Sequence, residues 1–429
     1  MEHAGRAARY LGSQHRLRVP RGTAPGGAGA GPVRGGGLSL RIAVDATCWA
    51  NGRGYGRFAR ELMTHLVAAA PQHEFVCIGD RAAFAALALD APNVRRVEVG
   101  QGAAPTVAAA ADGYRSPRDM WRLTRAVARA SPDIFFSPTV YSYFPVLPGP
   151  RIVVTIHDAI AERFPDLTLP SARARLFWRL KLGLAIRQAR LVLTVSDYAA
   201  SEIMAVHRIP ASRIRVAVEA PAAEYFPATT AEITAASTAA GIPAGTAWFT
   251  YVGGFSPHKR IDVILRAHAE LAGSEHPAPH LLLVGRLSGD VFLGARNELR
   301  ALITNLGTGT LVHWTGFVPD EDLRALHSGA VAALLPSESE GFGLPAVEAA
   351  ACGTPVIATL ASPLPQLLAG GGIFVSPGDV GALAMAMRQL LKDEPGRRTM
   401  GSAARRGASA LSWRRTADAT LAALEQAAA

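Results

Sequence analysis

Cysteine is scarce in this 429-residue chain, and its scarcity removes two architectures at once. Cys48, Cys77 and Cys352 stand far apart, without CxxC or Cys/His spacing, so neither a disulfide framework nor a zinc site is indicated. A reducing cytoplasm is the expected setting. Long apolar runs are missing too: the most hydrophobic stretches are broken by Pro, Gly or charge well before the ~20 residues needed to cross a bilayer. The chain therefore reads as soluble or peripheral. Acids are outnumbered, 34 Asp and Glu against 44 Lys and Arg, an excess of +10 that, evenly spread, would suggest nucleic acid. The spread is uneven. Residues 1–37 hold six arginines against one glutamate, half of the excess, so no nucleic-acid partner is expected. This Gly/Ala/Arg-rich segment has neither apolar periodicity nor the hydrophobic core of a signal peptide, and reads as a disordered tail.

What is present is enough hydrophobic residue, 49%, to bury two cores. From Leu38 onward, short apolar runs alternate with helical spacing. Strands are predicted at 41–46, 74–78, 133–136, 152–156 and 191–195, with helices at 55–69, 117–130 and 171–189 between them. A second series of strands follows at 247–252, 280–284, 310–314, 330–335, 355–359 and 373–375. Two such series imply an α/β chain with two doubly wound, Rossmann-like parallel sheets. The stretch from Glu219 to Thr246, marked by Pro221, Pro227, Gly241, Pro243 and Gly245, reads as an irregular linker. Ligands of open α/β sheets bind beyond the carboxyl ends of the strands, so two facing sheets enclose a cleft.

The most informative segment is Ser337 to Glu348, SESEGFGLPAVE, which follows the apolar run 330–335. Gly341 and Gly343 open a loop, Pro345 suits the first helical position, and Gly353 with Pro355 ends the short helix and starts the next strand. Backbone N–H groups and the helix dipole there favour an anion. Glu340 and Glu348 would repel one, so they either face neutral hydroxyl donors, a sugar or ribose, or are solvated residues beside an ordinary βα turn. A nucleotide-sugar offers both chemistries.

Three other segments fall at strand ends. Gly52, Gly54 and Gly56, flanked by Arg53 and Arg57, form an anion-binding turn or a plain structural one; the third glycine of the dinucleotide pattern is absent. Lys259, after the Gly253-Gly254 turn, stands at the start of a helix, where the dipole repels cations unless an anion lies between; otherwise it is a solvated lysine. His157, followed by Asp158, leaves a buried strand either as a hydrogen-bonded structural residue or as a cleft residue.

In this order the segments closely resemble the signature of retaining glycosyltransferase family 4, the group 1 sugar transferases of GT-B fold. The resemblance implies that Glu340 and the backbone of Gly341, Phe342, Gly343 and Leu344 hold hydroxyls of the donor sugar, and that Glu348 holds the ribose. Lys259 matches a lysine that neutralises the leaving diphosphate, with Gly54 and Gly56 near the phosphates and acceptor and Ser196 close by. His157 faces the scissile bond, with Asp158 as its orienting neighbour or an acceptor contact. His157, Lys259 and Glu340 are thus the implied catalytic residues. Gly254 stands where many members carry an arginine, and Arg260 is the candidate substitute. Gln366 and Glu219-Ala220 also depart from the family's acidic residue and Asn-Gly, changes read as touching specificity or linker geometry. With charge supplied by side chains, and no DxD-type pair in these segments, no metal and no cofactor are expected.

The implied division is an acceptor-side domain over 38–225, a nucleotide-sugar domain over 226–411, and a last helix, 412–429, returning to the first. The implied reaction moves a mannosyl, glucosyl or rhamnosyl group from a nucleotide-diphosphate sugar to a glycan or lipid-linked hydroxyl in surface polysaccharide synthesis. A nucleotide-sugar epimerase and a catalytically silent scaffold of the same fold are the alternatives. Residues 171–190 carry Arg173, Arg175, Arg179 and Lys181 without an acid, beside Leu176, Phe177, Trp178, Leu180 and Leu184. Such a helix packs its apolar face into the core, or rests on an anionic membrane from the cytoplasmic side.

Overall fold

The computed structural model describes residues 39–52, 54–100, 116–285 and 295–429. The expected tail, residues 1–37, lies outside them. Among the described residues thirteen strands form two sheets, and each pairs with its neighbours in parallel. The first sheet comprises β1 Arg41–Asp45, β2 Glu74–Gly79, β3 Val94–Glu98, β4 Ile134–Ser137, β5 Arg151–Thr155, β6 Leu191–Thr194 and β7 Ile214–Val216, in the order β3-β2-β1-β4-β5-β6-β7. The second comprises β8 Trp248–Val252, β9 His280–Val284, β10 Val312–Gly316, β11 Ala333–Leu335, β12 Val356–Thr359 and β13 Gly372–Val375, in the order β10-β9-β8-β11-β12-β13.

In each sheet the order reverses beside its first strand, between β1 and β4 and between β8 and β11. At that reversal the crossovers leave to opposite faces, opening a crevice at the carboxyl ends. Central strands such as β4 and β6 are buried along their whole length, because helices cover both faces; they read as unbroken apolar runs for that reason.

Two strands escape the sequence reading. β3, VRRVE, and β7, IRV, lie at the edges of the first sheet, where one side of the strand meets solvent and continuous apolar sequence is not required. The supposed irregular linker also needs correction: it contains the helix Thr230–Ala239. Thr229 caps that helix reciprocally with Glu232, a T-x-x-E signal that the surrounding Pro and Gly residues outweighed.

The last helix, Trp413–Ala428, packs on the helix Gly54–Ala69 of the first sheet: Trp413 meets Phe58 at 6.0 Å between ring centres, and Thr416 donates to the Val218 carbonyl at 2.5 Å. The basic helix, Ala172–Gln188, buries Ala174, Trp178, Leu182 and Ala185, one stripe at helical spacing. Leu176, Phe177 and Leu180, expected with Trp178 on a core face, are exposed instead. Among the described residues, no helix is long and apolar enough to cross a membrane.

Candidate active site

The loop after β11 is fixed from several sides before it turns into the helix Leu344–Ala351. The Glu340 carboxylate, buried, accepts at Oε1 from Ser337 Oγ at 2.6 Å and from the Lys259 ammonium at 2.8 Å, while its backbone N–H donates to Ala361. Gly341 permits no larger residue: a Cβ there would lie 2.3 Å from the His157 carbonyl oxygen, across the cleft. Gly343 has φ +89°, the left-handed region that favours glycine, and caps the helix without a side-chain acceptor. The first helical turn is therefore not claimed by a capping side chain. Phe342 and Leu344 are buried beside it.

Lys259 is not on a helix start, as its sequence position suggested. It ends a short 3₁₀ turn, Pro257–Lys259, and the long helix begins at Ile261 after Arg260 has adopted φ +53°. The ammonium escapes the dipole by turning to Glu340. The Arg260 guanidinium meets Glu338 at 2.6 Å and Asp262 at 3.3 Å, two acids of its own domain. Gly254 contributes a carbonyl that accepts from the Tyr251 hydroxyl at 2.5 Å.

The first sheet brings four strand ends to the same place. His157, after β5, is buried; its Nε2 lies 3.2 Å from the Pro138 carbonyl oxygen, and Phe58 meets its ring edge-on at 4.9 Å. Its Nδ1 faces Glu219 Oε1 at 3.6 Å, at ion-pair distance. The orienting acid is thus Glu219, not Asp158, which accepts instead from the Ile160 N–H at 3.0 Å. Burial raises the carboxyls of both Glu219 and Asp158 above their ordinary range, and His157 opposes that rise at each. Ser196, after β6, caps the helix Asp197–His207 and donates to the Gly341 carbonyl at 2.5 Å, so it joins the two domains.

Beside this cluster lies a second one, around Glu348. The helix Gly54–Ala69 starts at Gly54, which is exposed with open space about it, while Gly56 is pressed on Asn51: a Cβ would stand 2.0 Å from that carbonyl oxygen. The turn aims Arg57 across the cleft, where Nη1 is 3.1 Å from Glu348 Oε1 and Nη2 is 2.6 Å from Asp320 Oδ1. Tyr225 donates to the same Asp320 oxygen at 2.8 Å, with the guanidinium 5.5 Å from its ring centre. Burial pushes the Glu348 carboxyl up to about 8, against the lowering effect of Arg57.

The structure therefore gathers Glu340, Lys259, Ser196, Gly341 and His157, sets Glu348 and Gly56 next to them, and pairs Arg260 with Glu338 and Asp262. Sequence reasoning missed Asp320 and Tyr225; it noted Arg57 beside an anion-binding turn and Glu219 as a departure from the family pattern, but not the partners they meet. For Glu219 a signal existed, since an acid replaced the family's neutral residue there; nothing local marks the partners of Arg57.

Comparison with known proteins matches a family model to each half of the chain. Residues 52–217 match the model of Glycosyltransferase Family 4, and residues 232–407 match that of Glycosyl transferases group 1. O-antigen chain mannosyltransferase B of Escherichia coli is 31% identical over 61% of this chain and 67% of its own. D-inositol 3-phosphate glycosyltransferase of Mycobacterium tuberculosis is 34% identical over 56% of this chain, which spans about half, 48%, of that relative's length. Among solved structures, Anabaena HepE, crystallised with UDP-glucose, superposes with TM-score 0.67 at 19% identity, over 89% of this chain and 99% of that one. Matched family models on each sheet, and a mannosyltransferase relative aligned over two thirds of its length, give one answer: this GT-B chain belongs to glycosyltransferase family 4, the glycosyl transferases group 1, and is a sugar transferase.

Proposed function

We propose that the cleft transfers a hexosyl group from a nucleotide-diphosphate sugar to a hydroxyl acceptor with retention of anomeric configuration. The observation that carries this is the Lys259–Glu340 pair, 2.8 Å apart at the mouth of an uncapped helix turn and against the His157 strand end. A diphosphate brought there is balanced by Lys259 and by the backbone N–H groups of the Gly343–Leu344 turn. Glu340 accepts from a hydroxyl of the sugar, Glu348 from the ribose, and His157 contacts the sugar from the opposite wall. The acceptor oxygen attacks C1 on the face from which the diphosphate departs; the C1–O bond to phosphate breaks, and the acceptor's proton passes to the leaving oxygen. In this reading the cationic side chain does the work of a divalent metal.

A mannosyl donor and a growing surface polysaccharide are the favoured substrates, because the E. coli relative is an O-antigen chain mannosyltransferase. A lipid-linked acceptor would bring the enzyme to a membrane. The basic helix supports this: Arg173 and Arg179 accompany the exposed Leu176, Phe177 and Leu180, and each cation near an anionic surface adds ~1 kcal/mol. Arg175 and Lys181 contribute less, since they already meet Asp166 and the Tyr141 carbonyl.

Incubation with labelled GDP-mannose, UDP-glucose and dTDP-rhamnose tests the reading. Transfer that leaves the anomeric configuration of the donor unchanged is the expected result. Inverted product sinks the retaining mechanism; an isomerised donor points to an epimerase, and binding without turnover to a silent scaffold. Flotation with phosphatidylglycerol vesicles tests the membrane contact, which fails if the protein stays with the soluble fraction.

A further inference from the structure

Glu348 presents a problem that its own domain does not solve. It is buried on the helix Leu344–Ala351, and Oε1 has no aligned hydrogen-bond partner. An unpaired buried carboxylate tends to take up a proton, and a protonated acid accepts ribose hydroxyls poorly. The opposing charge comes from the other domain. Arg57 reaches over from the first turn of the helix Gly54–Ala69, and its fork is held at several points: Asp320 at 2.6 Å, the Tyr225 ring at 5.5 Å, and Glu348 at 3.1 Å. The contact with Glu348 is close enough for an ion pair but is not aligned as a hydrogen bond, so Oε1 keeps its acceptor capacity for a ligand.

We infer that Arg57 is a positioning residue for Glu348: it favours the ionised form of that carboxyl against its burial and aims it into the cleft, and Asp320 sets how much of the guanidinium charge reaches it. This rests on the proposed function, in which Glu348 meets the donor ribose. Asp320 sharpens the claim, because it acts on Glu348 in two ways that both oppose Arg57: it holds the guanidinium, and it adds negative charge nearby. The groups that face Glu348 are Arg57 and Glu61 on one helix, Asp320 on another, Glu219 beyond β7, Tyr225 at the join of the domains, and Cys352 at the C-terminal cap of its own helix. Arg57 lowers the Glu348 carboxyl, while Asp320, Glu219 and Glu61 raise it. Loss of Arg57 and loss of Asp320 must therefore push in opposite directions. A guanidinium that merely glued the domains together would give losses of the same sign.

Calorimetric binding of UDP and of GDP to the full chain between pH 6 and 9 decides this. Affinity for the nucleotide that binds is expected to rise with pH through a limb near 8, and Glu348→Gln should abolish the limb. Arg57→Gln should move it up by about one pH unit, a ~10-fold loss at pH 7, and Asp320→Asn should move it down, with tighter binding at pH 7. Arg57→Lys keeps the charge but not the fork, so its limb stays near that of the wild type while binding weakens at every pH. If circular dichroism shows Arg57→Gln misfolded, Arg57→Lys and Asp320→Asn carry the test. Nucleotide binding without a limb, or with a limb that Asp320→Asn leaves in place or moves up, overturns the inference alone. Absence of nucleotide binding together with absence of turnover on any nucleotide-sugar overturns the proposed function and this inference with it.

Discussion

On the second sheet, Glu340 and Glu348 come from one continuous strand, loop and helix, whereas on the first sheet His157, Ser196, Arg57 and Glu219 come from four separate strand ends. The two halves of the cleft meet where Gly341 touches the His157 carbonyl and Ser196 donates to the Gly341 carbonyl. The contiguous half carries its spacing in the chain itself, so it is positioned as soon as β11 and the helix form. The assembled half has no such spacing; its geometry exists only when β1, β5, β6 and β7 lie in register. Contacts across the cleft let the first half borrow rigidity from the second.

Several substitutions would break or sharpen this contrast. Lys259→Ala acts on the second sheet, at the Glu340 end of the contiguous segment, and loss of a cation that balances a leaving group should lower turnover on the order of 10²-fold or more. Steady-state kinetics with the accepted donor checks it, and unchanged turnover would remove Lys259 from the chemistry. Gly341→Ala attacks the meeting point. Its Cβ, 2.3 Å from backbone, forces the halves apart, with an expected loss of about 1–3 kcal/mol in denaturant unfolding and reduced turnover. Ser196→Ala strikes the assembled half and its link to the other, removing a helix cap and one cross-cleft hydrogen bond. About 1 kcal/mol of stability should go, and a rise in donor KM would show that the halves had loosened. Thr229→Ala lies outside both, in a capping box on the intervening helix, and should cost about 1 kcal/mol in the same unfolding experiment while leaving kcat unchanged.

How much could be read in advance follows from burial. Strands covered on both faces, such as β4, β6 and β12, announce themselves as apolar runs, and the loop between β11 and its helix is marked by glycines and a proline at fixed offsets. Edge strands β3 and β7 carry arginines because one side is wet, and so look like loops. The basic helix misled for a related reason. Leu176, Phe177 and Leu180 are apolar but lie off the stripe that Ala174, Trp178, Leu182 and Ala185 bury, and an alanine gives little hint that it faces the core. Neighbouring cations diverge just as quietly: Lys259 turns to Glu340, while Arg260, one residue on, meets Glu338 and Asp262.

The sequence by itself determined the two α/β series, the glycine positions that allow close backbone approach, and the strand, loop and helix bearing Glu340 and Glu348. These depend on local periodicity and on φ, which are properties of short segments. Only the tertiary structure decided which charges meet: Glu219 with His157, and Arg57 with Glu348 and Asp320. Electrostatic pairing depends on separation in space, and residues 291 positions apart carry no mark in the chain that they will stand 3.1 Å from each other.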